Sequence, residues 1–319
     1  MGTPAFAVPC VDKLFHTSHS ISAVVTAPDK PAGRGLKLSE SEVKKFVETR
    51  FITSPIKILQ PLNLKEEGFI SEIKNLSPDL IVVVAFKILP REVFTIPRYG
   101  SINLHASLLP RYRGAAPVNW ALIKGEKETG VTTFFLEEKV DTGNIIMQNK
   151  CQITAEDDAG TLHDKLSQLG ADIVLSTVDS IEEHDGKPPL RKQDNSLASP
   201  APKITPELCK INWSDTAHNI QNLIRGLSPY PGAHTFYNGR RLKILKTKFS
   251  LDLPEAERRS NPGNQTNESG KIRIEDNSLL LTCSDSLLEI LDLQLEGKKR
   301  ISACDFLKGN KFEDGDRFL

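Results

Sequence analysis

Short apolar runs alternate with segments of helical spacing through the first half of the chain. The run LIVVVAF at residues 80–86 has no polar alternation, so we expect both of its faces to be buried, as in a central parallel strand. Strands are predicted at residues 20–26, 56–60, 79–86 and 101–105, and helices at residues 41–51 and 65–76. This order predicts an α/β fold with a mostly parallel sheet covered by helices.

The pattern changes after residue 183. Strands at residues 129–136 and 144–153 are expected to extend the sheet, and a long helix at residues 161–183 closes the first domain, which we place at residues 1–185. Residues 186–205 are rich in proline and lack periodicity, which predicts a linker. The second domain, residues 206–319, begins with a helix predicted at 214–225, with Ser214 as N-cap and Gly226 just past its end. Short β segments with turn signals at residues 238–239, 261–270 and 276–277 follow, so a small β-barrel is expected there.

Composition excludes several broad classes of protein. Lys+Arg and Asp+Glu number 41 each, so no whole-chain field attracts nucleic acid or membrane, and a polyanion would need a local patch. The apolar run at 80–86 is far short of a membrane span. The five cysteines are scattered without metal-ligand spacing, which predicts reduced core thiols in a cytoplasmic protein and no metal site.

One predicted strand carries polar side chains on a single face. Period-two geometry places Asn103, His105 and Ser107 on the same side of the strand at residues 101–105. A hydrogen-bonded core histidine is the plain interpretation. Open α/β sheets, however, bind ligands at the carboxyl ends of their strands, and an amide beside an imidazole can stabilise an oxyanion.

Asp141, in the sequence KVDTGN, is the second candidate. Its plain interpretation is an Asx turn in a loop. The Asp-Thr-Gly triplet also suggests the alternative of an aspartic protease. That mechanism needs two carboxylates from two such loops, whereas the chain contains one DTG, within an α/β pattern.

Three basic segments each allow two interpretations. The loop at residues 108–117 holds Arg111 and Arg113 between two prolines, and the loop at 29–38, DKPAGRGLKL, lacks the nucleotide P-loop pattern. Each is either a ligand-binding rim or a solvated loop. The hairpin that carries Arg240, Arg241 and Lys243 is either a charged edge that blocks sheet pairing or a nucleic-acid surface.

Longer motifs point to a family. The segments are GTPAFA, DKPAGRG, INLHASLLPRYRGAAPVNWAL, ETGVTTFF, VDTGNII, ITAEDDAGTLHDKL, KINW and LQLEGKKRISACDFL. Together they resemble the folate-dependent formyltransferase family over nearly the whole chain, in particular the branch that formylates charged initiator tRNA. The resemblance implies a Rossmann-like formyltransferase domain followed by an OB-like β-barrel that binds tRNA.

The resemblance also implies an activity and a site. The formyl group of 10-formyltetrahydrofolate would pass to the amino group of methionine on initiator tRNA, in the cytoplasm, by a monomer that needs no metal. Implied catalytic residues are Asn103, His105 and Asp141. Implied folate-site residues are Phe86, Ile88, Leu89, Ser107, Leu108, Leu109 and Pro110, and implied tRNA-binding residues are Lys30, Arg34, Lys37, Arg240, Arg241 and Lys243.

Physical chemistry assigns provisional roles to the implied catalytic residues. Asn103 and protonated His105 would stabilise the negative formyl oxygen of the tetrahedral intermediate. A nearby carboxylate favours the charged imidazole, and Asp141 fits that position. Asp141 would also take the proton of the attacking amine, directly or through water.

Two features depart from the family pattern. Members begin with an apolar strand before the MGTP turn, whereas this chain starts at that Met, so we expect the recorded start to be internal and the edges of neighbouring strands to be exposed. The segment AFKILP is one residue shorter than the AYGxILP form of many relatives, which bears on the pterin contacts.

Two rival functions stay open at this point. A sugar-nucleotide formyltransferase shares the Asn, His and Asp core and would ignore tRNA. A non-catalytic tRNA-binding protein would be indifferent to His105→Ala.

Overall fold

The computed structural model describes residues 1–32, 37–51, 56–249, 269–310, 312 and 316–318. The chain forms two compact units. Unit 1 comprises Met1–Pro117, Glu128–Gln152 and His163–Pro202, and unit 2 comprises Val118–Lys127, Ile153–Leu162 and Lys203–Leu319. Residues 186–202, within the predicted linker, thus group with unit 1.

Unit 1 contains the alternating strands and helices that the hydrophobic pattern predicts, together with shorter elements that it does not predict. In chain order these are α1 (Val8–Phe15), β1 (Val24–Val25), β2 (Lys30–Ala32), β3 (Lys37–Ser39), α2 (Glu42–Arg50), β4 (Ile58–Leu59), α3 (Glu67–Leu76), β5 (Ile81–Val84), α4 (Arg91–Phe94) and β6 (Ser101–His105). Beyond α5 (Pro117–Ile123), which lies in unit 2 from Val118 onward, follow β7 (Glu128–Phe135), β8 (Ile145–Gln152) and α6 (Ala159–Glu183), which lies in unit 1 from His163 onward.

The sheets of unit 1 are mixed in direction. β5 and β6 pair in parallel, as do β1 and β4, which confirms the α/β fold. β6–β7 and β7–β8 pair antiparallel, so one sheet runs in the order β5-β6-β7-β8. The connection between β7 and β8 at residues 136–144 is too short for the crossover that parallel strands need, and it therefore dictates the antiparallel pairing.

The core of unit 1 lies between the sheet and its helices. Apolar side chains from β1, β4, β5 and α3 form one cluster, which includes Val25, Leu59, Ile73 and Val83. On α6, the helical spacing of Leu162, Leu166, Ile173, Val174 and Ile181 buries one face of the helix, as predicted. Among the described residues, no helix is both long and apolar enough to cross a bilayer.

Met1 and Gly2 lie between β1 and β5. The Gly2 amide donates to Val25 O at 2.9 Å, and the Val84 amide donates to Met1 O at 2.9 Å, so both neighbouring strand edges are bridged at this level. Beside them is a cavity of about 590 Å³, lined by residues of β1, β5, α1 and α3. The predicted exposure of the strand edges is therefore not observed where Met1 and Gly2 bridge β1 and β5. It can apply only to the parts of β1 and β5 that face this cavity.

Unit 2 combines an antiparallel sheet with helices. Its elements are α5, α7 (Ala217–Leu227), β9 (Ala233–Tyr237), β10 (Arg240–Phe249), β11 (Ile272–Glu275), β12 (Ser278–Thr282), β13 (Leu287–Leu295), β14 (Ile301–Ser302) and α8 (Ala303–Gly309). The strand order is β11-β12-β13-β10-β9, with β14 paired to β13. Asn238-Gly239 and Asp276-Asn277 adopt positive φ angles in the two-residue turns of the β9–β10 and β11–β12 hairpins, where the sequence predicts turns.

The boundaries of α7 differ from the prediction. Thr216, rather than Ser214, caps the helix, since its hydroxyl accepts from the Asn219 amide at 3.2 Å. The Ser214 amide donates to the Asn212 side chain in the preceding turn. Gly226 lies inside the helix, which extends to Leu227, and a Cβ at this position would approach Ile123 Cγ1 to 2.6 Å. Gly226 thus permits close packing instead of ending the helix.

Thiol reactivity is expected to follow burial. All five cysteines are free, but Cys304 is exposed and Cys151 half-buried, so the prediction of core thiols holds for Cys10, Cys209 and Cys283 only. Burial raises the pKa of the Cys10 and Cys283 thiols to about 12, which suppresses the reactive thiolate. We expect iodoacetamide at pH 8 to modify Cys304 first and to leave these two unmodified until urea unfolds the chain, as measured by peptide mass spectrometry. Labelling of folded Cys10 at the rate of Cys304 would contradict this.

Candidate active site

The site begins at the carboxyl end of β6. This strand pairs with β5 on one side and β7 on the other, and its alternation places Asn103 and His105 on the same face. His105 is 6% exposed, and its Nε2 lies 2.8 Å from Tyr112 O. A carbonyl oxygen only accepts, so Nε2 carries a proton, and Nδ1 is the ring nitrogen left to face the site.

Asp141 faces that nitrogen from the loop between β7 and β8. Its Oδ2 lies 3.8 Å from His105 Nδ1, which is within ion-pair range and too long for a hydrogen bond. The same oxygen accepts from the Gly114 amide at 2.9 Å. The Asp141 backbone is left-handed, with φ of 56°, and the side chain is 9% exposed. The carboxylate is therefore held in one orientation beside the imidazole.

The loop after β6 is fixed by a buried hydrogen-bond network. The Ser107 hydroxyl donates to Arg111 O at 2.6 Å, and Ser107 is fully buried. Thr132 Oγ1 donates to Ser107 O at 2.6 Å and accepts from the Leu109 amide at 3.2 Å. Gln148 Nε2 donates to Leu109 O at 2.8 Å. The Ser107 hydroxyl and the Leu109 backbone groups are thus used in hydrogen bonds that hold the loop.

The other predicted folate-site residues differ in exposure. Leu108 and Pro110 are half-buried in the loop after β6. Beyond β5, Phe86 is half-buried, Ile88 is 75% exposed and Leu89 is 7% exposed in the unit 1 core.

Gln193 joins the two loops of the site. It is 5% exposed, and its Nε2 donates to Asp141 O at 3.0 Å and to Gly143 O at 2.8 Å. Its Oε1 accepts from Arg113 Nη2 at 2.6 Å. Arg113, one of two arginines that the sequence offered for ligand carboxylates or phosphates, is therefore part of the scaffold. Gln193 lies in the proline-rich segment, where no local pattern indicates a site. The sequence analysis also missed Thr132 in β7 and Gln148 in β8, because no local pattern distinguishes them either.

Replacing Gln193 by leucine is expected to lower both kcat and the free energy of unfolding. The substitution leaves the Asp141 and Gly143 carbonyls and the Arg113 guanidinium without this partner, at a cost of about 1–3 kcal/mol. The substitution shifts Asp141 but removes no side chain that we assign to substrate binding. We therefore expect kcat to fall about 10-fold and both KM values to stay within about twofold. Steady-state kinetics check this, with Gln152→Leu, an exposed glutamine of β8, as control. A change confined to KM would contradict the positioning role.

The predicted tRNA-binding residues fall in two places. Lys30 is exposed in β2 and Lys37 lies in β3, while Arg34 lies outside the described residues. Asp29 lies immediately before β2, and its carboxylate pairs with Lys44 at 2.5 Å and accepts from Gln60 at 2.8 Å.

The predicted residues of unit 2 lie on β10. Arg241 and Lys243 pair with Phe236 and His234 of β9 and share one face by alternation. Lys243 Nζ lies 5.9 Å from the Tyr230 ring centroid. Arg240 donates instead to Glu296 O at 3.1 Å. The alternation thus separates Arg240 from the other two.

Two family descriptions match the chain. Residues 1–178 match "Formyl transferase", and residues 203–311 match "Formyl transferase, C-terminal domain". The chain is 44% identical over 317 residues to "Methionyl-tRNA formyltransferase" of Caldanaerobacter subterraneus subsp. tengcongensis, covering 99% of this chain and 97% of that protein. It is 45% identical over 316 residues to the protein of the same name from Syntrophus aciditrophicus, covering 99% and 96%.

Solved structures share the fold at lower identity. WlaRD, described as a sugar 3N-formyl transferase, aligns with a TM-score of 0.64 at 20% identity, covering 93% of this chain and 97% of that chain. HypX from Aquifex aeolicus in complex with tetrahydrofolic acid aligns with a TM-score of 0.59 at 18% identity, covering 86% and 48%. The full-length relatives carry the assignment: with both family descriptions matched in order, the chain belongs to the formyl transferase family, among proteins named methionyl-tRNA formyltransferase.

Proposed function

We propose that this chain transfers the formyl group of 10-formyltetrahydrofolate to the amino group of methionine carried by initiator tRNA. One observation carries the proposal: the Asp141 carboxylate, oriented by the Gly114 amide, faces His105 Nδ1 at the end of the strand that also bears Asn103. An acid–base group beside hydrogen-bond donors is the machinery that acyl transfer to an amine needs. The full-length relatives are consistent with it.

The nucleophile needs little activation. A free α-amino group has a pKa of about 7.7–8.0, so a large fraction is neutral near pH 7.5. Its nitrogen attacks the formyl carbon, and the carbonyl electron pair moves to oxygen. The barrier therefore lies mainly in stabilising the oxyanion and in moving protons.

Asn103 and His105 stabilise the oxyanion in this proposal. Among the described residues, no partner hydrogen-bonds the half-buried side-chain amide of Asn103, so its two N–H groups are available to a ligand. His105 Nε2 donates to Tyr112 O, which leaves protonated Nδ1 as the donor to substrate. A donor of this kind contributes about 10²- to 10³-fold in rate.

Asp141 acts as the general base and general acid in this proposal. Once the amine has attacked, its nitrogen is positively charged, and Asp141 accepts the proton directly or through a water. The oxyanion electron pair then re-forms the carbonyl as the bond between the formyl carbon and folate N10 breaks. Asp141 passes its proton to N10, directly or through the same water, which releases tetrahydrofolate and formyl-methionyl-tRNA. Gly114 and Gln193 hold the carboxylate and its backbone in place.

Folate and tRNA are assigned to separate parts of the chain. Phe86, Ile88, Leu89 and the loop at residues 107–110 enclose the co-substrate. Unit 1 carries the chemistry, while Arg34 with Lys30 and Lys37, and Arg241 with Lys243 and Arg240, bind tRNA. Cationic side chains in these places attract the phosphate backbone. We also propose that the chain acts as a monomer in the cytoplasm.

Arg34→Ala is expected to raise the KM for Met-tRNA about 10-fold, since one lost nucleic-acid contact costs about 1–3 kcal/mol. Folate binding should remain within twofold, because Arg34 is assigned to tRNA alone. Kinetics at varied tRNA and isothermal titration with 5-formyltetrahydrofolate check the two values. Lys187→Ala, an exposed cation of unit 1, is the control. An equal loss of folate affinity would sink the assignment.

The activity is tested by incubating the chain with 10-formyltetrahydrofolate and either Met-charged initiator tRNA or a nucleotide-linked amino sugar. Formylated methionine with no formylated sugar supports the proposal. The reverse result moves the chain to the sugar-nucleotide class. Tight, salt-dependent tRNA binding without turnover, unchanged by His105→Ala, indicates a non-catalytic binding protein.

A further inference from the structure

The proline-rich segment after α6 is fixed to the elements of the candidate active site. At residue 191 the backbone of Arg191 exchanges two hydrogen bonds with Ile145 of β8, both at 2.8 Å. At residue 201 the Ala201 amide donates to Arg113 O at 2.6 Å. All of these residues lie in unit 1. Because residues 191–201 are anchored at both ends, the groups between the anchors can hold the loop after β6 in place.

Ser199 contacts both peptide groups that flank Tyr112. The Tyr112 amide donates to Ser199 Oγ at 2.9 Å. The Arg113 amide, which belongs to the next peptide group, donates to Ser199 O at 2.8 Å. A residue before proline is restricted to extended conformations, so Pro200 limits the directions in which the Ser199 backbone can present its carbonyl. Ser199 thus holds the Tyr112 backbone with its side chain and with its main chain.

The Tyr112 backbone needs this support. Its φ is 60°, in the left-handed region that residues other than glycine rarely adopt. Such a conformation persists only where the surrounding structure over-determines it. The two hydrogen bonds to Ser199 fix the peptide groups on both sides of the Tyr112 Cα, and they therefore fix both of its backbone angles.

The Tyr112 carbonyl in turn orients the imidazole of His105. The Tyr112 C=O and the Arg113 N–H are the two ends of one planar peptide group. One end accepts from His105 Nε2 at 2.8 Å, and the other donates to Ser199 O. Rotation of this peptide group would take the carbonyl away from Nε2, and the neutral ring could then turn or carry its proton on Nδ1. A continuous series of contacts therefore leads from Ser199 to His105.

We propose that Ser199 is a positioning residue for formyl transfer: it holds the Tyr112 carbonyl against His105 Nε2 and so keeps His105 Nδ1 directed at the reacting formyl group. The inference rests on the proposed function, because it concerns the orientation of the imidazole used there. Ser199 touches no substrate in this assignment. Its loss should therefore slow the chemical step and leave substrate binding unchanged.

The experiment compares Ser199→Ala with Ser199→Thr, which keeps the hydroxyl, in single-turnover formylation of Met-tRNA by the full chain. We expect the alanine variant to be about 3- to 10-fold slower, as the loss of one hydrogen bond gives, with folate and tRNA affinities within about twofold. The threonine variant should stay within about twofold of the unsubstituted rate, because its hydroxyl can still accept from the Tyr112 amide. Ser196→Ala is the matched control and should keep the full rate, since the Ser196 hydroxyl donates to the Asp194 side chain, at 2.7 Å.

A double-mutant cycle tests whether Ser199 acts through His105. In the His105→Ala background no imidazole is left to be oriented, so the addition of Ser199→Ala should slow the reaction no further. Equal slowing in both backgrounds would mean that Ser199 acts through another group, such as the Gly114 amide on Asp141, and would overturn the inference.

The ¹⁵N NMR signals of histidine report the state of the ring without any substrate. With the ring neutral, we expect His105 of the unsubstituted chain to show a protonated Nε2 and an unprotonated Nδ1. The signals are assigned by their absence from the spectrum of His105→Ala. Ser199→Ala should populate the other tautomer, whereas Ser196→Ala should not. A tautomer that is unchanged in Ser199→Ala overturns the inference.

The outcomes distinguish this inference from the proposed function. Absence of transfer to Met-tRNA by the unsubstituted chain overturns the proposed function, and the NMR measurement then still decides whether Ser199 orients the ring. Normal transfer by the unsubstituted chain, with an equal rate for Ser199→Ala, overturns the inference alone.

Discussion

Replacing His105 by alanine is expected to lower kcat/KM for formyl transfer by about 10²- to 10³-fold. The imidazole is 6% exposed at the end of β6, with Nε2 bonded to Tyr112 O and Nδ1 facing Asp141. Alanine removes the only charged donor that we assign to the oxyanion. It also leaves the Asp141 carboxylate without the imidazole that faces it. Single-turnover formylation of Met-tRNA measures the chemical step.

The matched control for His105 is His184→Ala. The His184 ring also donates to a backbone carbonyl, Ser180 O, at 2.8 Å, but His184 immediately follows α6 and is not part of the site. We expect full activity in that variant. Binding of 5-formyltetrahydrofolate should be preserved in His105→Ala, because the assigned role is in the transition state. If the His105 variant retains more than about a tenth of the rate while remaining folded, the oxyanion role is wrong.

Gly114→Ala should damage both stability and activity. Gly114 has a φ of 123°, a conformation that L-residues rarely adopt, and a Cβ there would lie 2.6 Å from Ala201 O. Relieving that contact moves the loop, and the backbone strain alone costs about 1–3 kcal/mol. The Gly114 amide also donates to Asp141 Oδ2 at 2.9 Å, so movement of the loop releases the carboxylate. Urea unfolding and kcat measure the two effects separately.

Gly68→Ala provides the opposite expectation. Gly68 lies in the first turn of α3, and a Cβ there meets nothing within 4 Å. Alanine in a helix is favoured over glycine by about 0.5–1 kcal/mol, so this variant should be slightly more stable and fully active. Equal effects of the two substitutions would show that the Gly114 contact with Ala201 does not constrain the loop.

The sequence predicted the local elements well where a period or a turn residue determines them. β6 lies at the residues expected, α6 differs by two residues at its start, and the turns at Asn238-Gly239 and Asp276-Asn277 form as predicted. Alternation along β6 is enough to place Asn103 and His105 on one face. These features depend on neighbours in the chain, which the sequence contains directly.

Errors arose where two local signals compete. Ser214 and Thr216 are both good N-cap residues. The Ser214 amide donates to Asn212 in the preceding turn, so Thr216 is the N-cap and the helix starts at Ala217. Gly226 has the sequence position of a C-cap, but close packing against Ile123 explains it instead. The direction of β8 was predictable from its short connection to β7 and was missed because the pattern before it favoured parallel strands.

By itself, the sequence determined an α/β first domain, a β-rich second domain and the residue types of the proposed catalytic site. Only the tertiary structure decided how they are held: Asp141 beside His105, the Gly114 amide on the carboxylate, and Gln193 bridging two loops. Gln193 lies 52 residues from Asp141 along the chain, so no periodic pattern links them. Periodicity reports which face of an element is buried, whereas hydrogen bonds between distant loops depend on how the whole unit packs.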